Sequence, residues 1–101
     1  MMSTLHILSL SPFEGGHLDT CLRLLQGGDA LLLCGDAVHA LAPGTSRRQV
    51  LQRLPRDISL YALAEDIEAR SLSDLPERLI AIDYPAFVDI CGLYSKSNSW
   101  L

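Results

Sequence analysis

The 101-residue chain has a single lysine, Lys96, beside seven arginines, and its formal net charge is −4. That shortage of cations argues against direct nucleic-acid binding, which needs a clustered basic face to displace the counterions condensed on phosphate. The one local group, Arg47, Arg48, Arg53 and Arg56, is interrupted by apolar residues and reads as a solvated helix face or the rim of a protein interface. Long apolar runs are missing too. The longest, such as Ala30–Cys34 and Leu79–Ile82, reach four or five residues, against the roughly 20 of a membrane-spanning helix. The opening Met1-Met2-Ser3-Thr4-Leu5-His6 lacks the cationic head and apolar stretch of a secretory signal, so a cytoplasmic protein without membrane contact is expected. Cysteine is sparse and odd in number. Cys21, Cys34 and Cys91 form no C-x-x-C and no Cys/His pair at zinc spacing, so neither a disulfide framework nor a metal site is indicated.

Catalytic signatures are equally thin. The sequence has no G-x-x-x-x-G-K-[ST] phosphate cradle, no H-E-x-x-H and no G-x-S-x-G elbow. Glu14-Gly15-Gly16-His17 reads as a turn, not a dinucleotide fingerprint, and no cofactor is implied.

What is present is leucine, 20 residues of 101, in a chain that is 49% hydrophobic. Disorder is excluded by that apolar content. One domain over residues 1–101 is expected, burying roughly two thirds of its extended surface. Leu5–Leu10 is a first strand, ended by Ser11-Pro12. A helix follows from His17 to Gln26, with Leu18, Cys21, Leu22 and Leu25 on one face and Gly27-Gly28 as its stop. Ala30–Cys34 is apolar on both pleat faces and reads as a central strand. The segment Ala37–Leu41 is ambiguous. Thr45–Leu54 is a helix capped by Thr45 or Ser46, with Val50, Leu51 and Leu54 inward. Ile58–Leu63 is a third strand and Ala64–Arg70 a short polar helix. Leu79–Ile82 is a fourth strand, expected to be interior because it is wholly apolar. Asp83 caps a last helix with Pro85 in its first turn and Phe87, Val88, Cys91 and Tyr94 as the buried stripe. Strands alternating with helices imply an α/β/α sandwich of three layers on a mainly parallel sheet of four to five strands.

The carboxyl ends of such strands are the usual ligand address. Cys34 and Asp36 stand at one of them, and a small-ligand site there is one alternative. Glu65, Asp66 and Asp83 read as caps and loop ends. His6 reads as a satisfied polar group in the first strand. His17 lies four residues before Cys21, within helical reach of its thiol. Cys21 is the candidate sulfur-accepting thiol, although its place in a leucine stripe equally suits inert core. Trp100 and Leu101 are bulky residues at a terminus, where chains fray unless something buries them. They are expected either to fold back on the sheet or to dock on a partner subunit.

Read in order, a set of short motifs becomes familiar. It runs from Leu5-His6 and Ser11-Pro12-Phe13 through Gly27-Gly28-Asp29, Leu31-Leu32-Leu33 and Gly35-Asp36-Ala37-Val38. It continues with Tyr61-Ala62-Leu63, Glu65-Asp66, Ala69-Arg70-Ser71-Leu72, Ile82-Asp83-Tyr84, Phe87-Val88 and Ser99-Trp100. The set resembles the TusB/DsrH family across essentially the whole chain. The resemblance implies the DsrE/F/H-like fold and a subunit of a sulfur relay, assembled with TusC-like and TusD-like chains as a dimer of heterotrimers. A TusE-like sulfur carrier would meet that complex, which supports 2-thiolation of the tRNA wobble uridine. The related DsrEFH assembly, serving sulfur oxidation, is the alternative. The principal persulfide cysteine of such assemblies belongs to the D/E-type chain. Cys21 falls where DsrH-type chains carry a first-helix cysteine, which makes it the candidate accessory persulfide thiol, beside Trp100 and Leu101 as the candidate docking residues read from their bulk.

Overall fold

A computed structural model describes residues 3–13 and 16–100. Five strands form one sheet: β1 (Thr4–Leu8), β2 (Ala30–Leu33), β3 (Ser59–Leu63), β4 (Ile80–Ile82) and β5 (Lys96–Trp100), in the order β4-β3-β2-β1-β5. Every neighbouring pair is parallel. The chain steps in one direction from β1 to β4 through α1 (His17–Leu24), a 3-10 helix (Gly35–Leu41), α2 (Ser46–Gln52) and α3 (Ala64–Ala69). Right-handed crossovers place all of these on one face. The return from β4 to β5 carries α4 (Tyr84–Cys91) across the other.

Two cores result, one on each side of the sheet. Leu8, Leu31, Leu33, Leu60 and Ala62 meet Leu18, Cys21, Leu41, Leu51 and Ile67 on the first face. Leu5, Ala30, Leu32, Leu63 and Ile82 meet Ile90 of α4 on the second, with Phe87 and Cys91 alongside. Both faces of β2 are therefore covered, as its uninterrupted apolar run demands.

Local chemistry sets the boundaries. The Thr45 hydroxyl accepts from the Arg48 N–H at 3.2 Å and caps α2. Asp83 does the same for α4 through Ala86 N–H at 2.9 Å. Helix α1 stops at Leu24, short of the double glycine, because Leu25 is already extended. Gly28 instead takes a left-handed φ of 89° in a turn closed by Asp29 N–H to Gln26 C=O at 3.0 Å. The ambiguous segment is the 3-10 helix, four of whose residues, Ala37, Val38, Ala40 and Leu41, are buried.

Two expectations are corrected, and a fifth strand joins the four read from the sequence. Strand β4 is an edge, not an interior strand, and Ile80 is 49% exposed. Its apolarity is used where Ile82 enters the second core beneath α4. The polar tail is itself a strand: β5 pairs along the outside of β1, where Lys96 to Ser99 remain in water. Val50 and Val88 point outward, Val88 being 58% exposed, and Ile90 takes the buried place on α4. A single eight-residue helix cannot turn every apolar side chain toward a sheet it crosses once.

The arginines do more than solvate a surface. The Arg48 guanidinium donates to the carbonyls of Leu41 and Asp74, and Arg47 pairs with Asp19 at 3.5 Å. Arg78 donates to the carbonyls of Gln52, Leu54, Pro55 and Ile58, fixing the connection from α2 to β3. Replacing Arg78 by Ala strands these acceptors and should cost about 2 kcal/mol. A urea or thermal melt should show this as a drop in Tm of roughly 10 °C. Arg78→Lys should recover less than half, since one ammonium cannot span four carbonyls.

Candidate functional site

The first face gathers His6, Asp29, Trp100, His17 and Cys21 about the junction of β1, α1 and β5. Alternation along β1 turns His6 to the same face as Leu8, and the β1–β5 register sets Asn98 beside His6 and Trp100 beside Leu8. His6 and Asp29 are the buried polar residues here, each 5% exposed. The Asp29 carboxylate accepts from Thr4 N–H at 2.9 Å and from Gln26 N–H at 3.0 Å. Its Oδ2 also lies 3.4 Å from His6 Nε2, within ion-pair range but off the line of a hydrogen bond. On the other side of the imidazole, Trp100 Nε1–H donates to His6 Nδ1 at 3.3 Å. Nδ1 is thus the acceptor, which places the ring proton of neutral His6 on Nε2, facing Asp29.

Trp100 packs against the first core, its ring centroid 6.3 Å from that of His6 and 6.3 Å from that of His17. It folds onto its own sheet in this structure. Leu101 lies outside the described residues. His17 faces Trp100 and makes no hydrogen bond to Cys21 among the described residues.

Cys21 has 0% exposure. Burial pushes its thiol up to about 12, with the negative charge of Asp29 adding to the effect. A thiol so placed stays protonated at neutral pH, whereas the nucleophile of sulfur chemistry is the thiolate. The folded chain therefore presents Cys21 as a core residue. Nor does the His6–Asp29 pair make a catalytic dyad, because the group on Nδ1 is an indole N–H, a donor with no nucleophilic lone pair.

A groove of about 670 Å³ opens beside this cluster, lined by Thr4, His6, Gln26, Asp29, Lys96 and Asn98. It lies toward the amino ends of β1 and β5, opposite to the strand ends where ligands of parallel sheets usually gather. At those carboxyl ends the polar groups are committed to one another. Cys34 is half-buried, its Sγ donates to Leu8 C=O at 3.4 Å, and burial followed by nearby Asp66 raises its pKa. Gly35 N–H donates to Asp66 Oδ2 at 2.8 Å. Arg70 binds Asp36 at 2.9 Å and approaches Asp66 at 3.8 Å. Gly35 itself is required: its φ is 51°, and a Cβ would sit 3.1 Å from Ser9 C=O. No cluster of metal-ligating side chains occurs among the described residues.

Cys21, Trp100 and both nearby histidines are thus brought together, while Cys34 and Asp36 stand apart at the carboxyl ends. Sequence pattern gives Asp29 no prominence, since Gly-Gly-Asp before a strand reads as an ordinary turn. The only signal for it is the acid directly abutting the wholly apolar Ala30–Leu33.

A family model and related sequences agree on kinship, and solved structures agree on the fold. A family model described as "DsrH like protein" matches residues 10–97. Protein TusB of Salmonella paratyphi B is 39% identical over 88 residues, covering 86% of this chain and 90% of that one. Protein TusB of Erwinia tasmaniensis is 36% identical over 97 residues, 95% of this chain and 99% of its own. Among solved structures, the ychN protein from E. coli superposes with a TM-score of 0.80 at 16% identity, covering 99% of this chain and 100% of that one. MTH1491 from Methanobacterium thermoautotrophicum gives 0.64 at 13% identity, over 96% and 98%. The two structures show the same fold, and the family model with the TusB relatives shows that this chain belongs to the DsrH-like family.

Proposed function

We propose that this chain is the TusB-type subunit of a cytoplasmic sulfur relay that supports 2-thiolation of the tRNA wobble uridine. TusC-like and TusD-like chains are its partners, and a TusE-like carrier meets the assembly through them. The observation that carries the reading is identity of 36–39% to proteins named TusB over 86–95% of the chain, which favours the Tus branch over the DsrEFH alternative. The role within the relay is structural. No described helix is long and apolar enough to cross a membrane. Cys21, the thiol in the first helix, is sealed and protonated, and the acidic surface with its single lysine leaves the tRNA to another protein.

Deleting the gene should abolish 2-thiouridine in digested tRNA, as read by nucleoside mass spectrometry, and Cys21→Ser should restore it to the level of the wild type. Unchanged thiolation in the deletion strain would reject the relay reading. Failure of Cys21→Ser to restore it, with the variant stably folded, would reject the structural role. The intact protein, incubated with a sulfur-loaded carrier, should gain no mass of one sulfur at Cys21.

A second expectation follows from the thiol. An unfolded cysteine ionises near 9, the folded Cys21 only near 12. Between those values the unfolded state sheds its proton first, so stability must fall as pH rises through that window. Urea melts should show the wild type losing stability between pH 9 and 11 relative to Cys21→Ala. A parallel pH dependence of the two would mean that the thiol is not buried as described.

A further inference from the structure

We propose that the open side of β5 is a docking edge, to which an extended, acid-bearing segment of a partner subunit adds as a sixth strand. The proposal rests on the relay reading above and names the surface by which the chain is held. Its basis is the hydrogen-bond ladder. Lys96 N–H donates to Ser3 C=O at 3.4 Å, and β1 and β5 run parallel with Thr4 opposite Lys96 and Leu8 opposite Trp100. In a parallel ladder every second residue uses both its N–H and its C=O on the same neighbour. Lys96, Asn98 and Trp100 are therefore committed inward to β1. Ser97 and Ser99 aim their N–H and C=O groups away from the sheet.

Among the described residues no strand covers that row, and its one charge, Lys96, stands at the amino end. The strand contains no proline, and Lys96, Ser97, Asn98 and Ser99 are all exposed. An edge strand that presents unpaired N–H and C=O groups to water is a template for pairing. Trp100 holds the strand rigid from beneath through its bond to His6, so an incoming segment meets a preformed edge. The opposite edge, β4, has three residues to offer against the five of β5.

Charge selects the occupant. The groove of about 670 Å³ runs beside the strand, with Lys96 and Asn98 in its lining. Alternate side chains of an added strand on this face would enter it. Lys96 forms no ion pair among the described residues, whereas the Asp29 carboxylate in the groove already accepts two backbone N–H bonds. Lys96 is the exposed charge of the groove and Asp29 is buried, so the open side suits a carboxylate, while two copies of a chain of net charge −4 repel each other.

The test uses the full chain co-expressed with the TusC-like and TusD-like chains of the same genome, with amide hydrogen exchange and native mass spectrometry as readouts. In the complex, exchange at Ser97 and Ser99 should slow about tenfold or more relative to the free chain. Ser99→Pro removes one outward N–H at an edge position that tolerates proline. It should weaken assembly up to about tenfold, as loss of one hydrogen bond to the partner would. Ser99→Ala, which keeps the N–H, should assemble like the wild type, and Lys96→Glu should weaken assembly in low salt more than in high salt. A complex that forms while Ser97 and Ser99 exchange as in the free chain overturns the docking edge and leaves the relay reading intact. Protection of these amides in a homodimer of the chain alone overturns the choice of occupant. Absence of any complex overturns the relay reading and this edge with it. Should Ser99→Pro misfold by circular dichroism, exchange in the wild-type complex decides.

Discussion

Asp29 is the group on which the amino and carboxyl ends of the fold both depend. A carboxylate almost without solvent contact costs several kcal/mol unless its oxygens find donors. Its donors here come from Thr4 at the start of β1 and Gln26 in the turn after α1, and the imidazole of His6 lies against it. One charge thereby specifies how β1 enters the sheet and how α1 hands over to β2, while the Trp100 N–H on Nδ1 sets the tautomer of His6. That bond anchors the last strand. Swapping Asp29 for a hydrophobic residue would not merely lose a contact. It would strand two backbone N–H groups and remove the carboxylate that faces His6 Nε2.

The same carboxylate explains the character of Cys21. A thiol in the leucine stripe of α1 is already disfavoured as an anion by burial, and a negative charge nearby disfavours it further. Reactive cysteines sit in electropositive, partly exposed surroundings. Cys21 has the reverse on both counts. Its helix N-terminus offers no rescue, because Cys21 lies beyond the first turn, where the favourable field of the dipole has faded.

Much of the architecture is legible in the sequence because local and global preferences agree. The run Ala30–Leu33 demands cover on both faces and receives it; Thr45 and Asp83 announce their helices as caps; Leu18 and Cys21 mark the inward face of α1. Legibility fails where a residue answers to a distant partner. Ser97, Asn98 and Ser99 have no strand propensity to advertise, and β5 exists because β1 offers an edge and Trp100 a clasp. Ile80–Ile82 looks interior because the second core needs Ile82, yet chain order leaves the strand outermost. Asp29 looks like a turn residue because its donors are backbone groups, which leave no trace in residue identity. The site is less readable than the fold for the same reason: its parts, His6, Asp29 and Trp100, are far apart in the chain.

The unequal covering of the two faces bears on what a chain of this kind can contribute to an assembly. Four helical segments close the first face, and one eight-residue helix covers the second, with Tyr84 and Val88 on its water side. The nucleophiles follow the opposite trend. Cys21 is sealed in the first core, Cys34 is half-buried with its S–H donating to Leu8 C=O, and Cys91 is half-buried beside the second core. The polar surroundings of Cys34 at the strand ends are occupied by Arg70, Asp36 and Asp66 binding one another and the Gly35 N–H. A chain that buries its reactive atoms while leaving a strand edge and an apolar helix flank in water has surface to offer before it has chemistry. In a relay, where sulfur must pass between thiolates that are open to each other, the role proposed above for such a chain is to hold its neighbours in place.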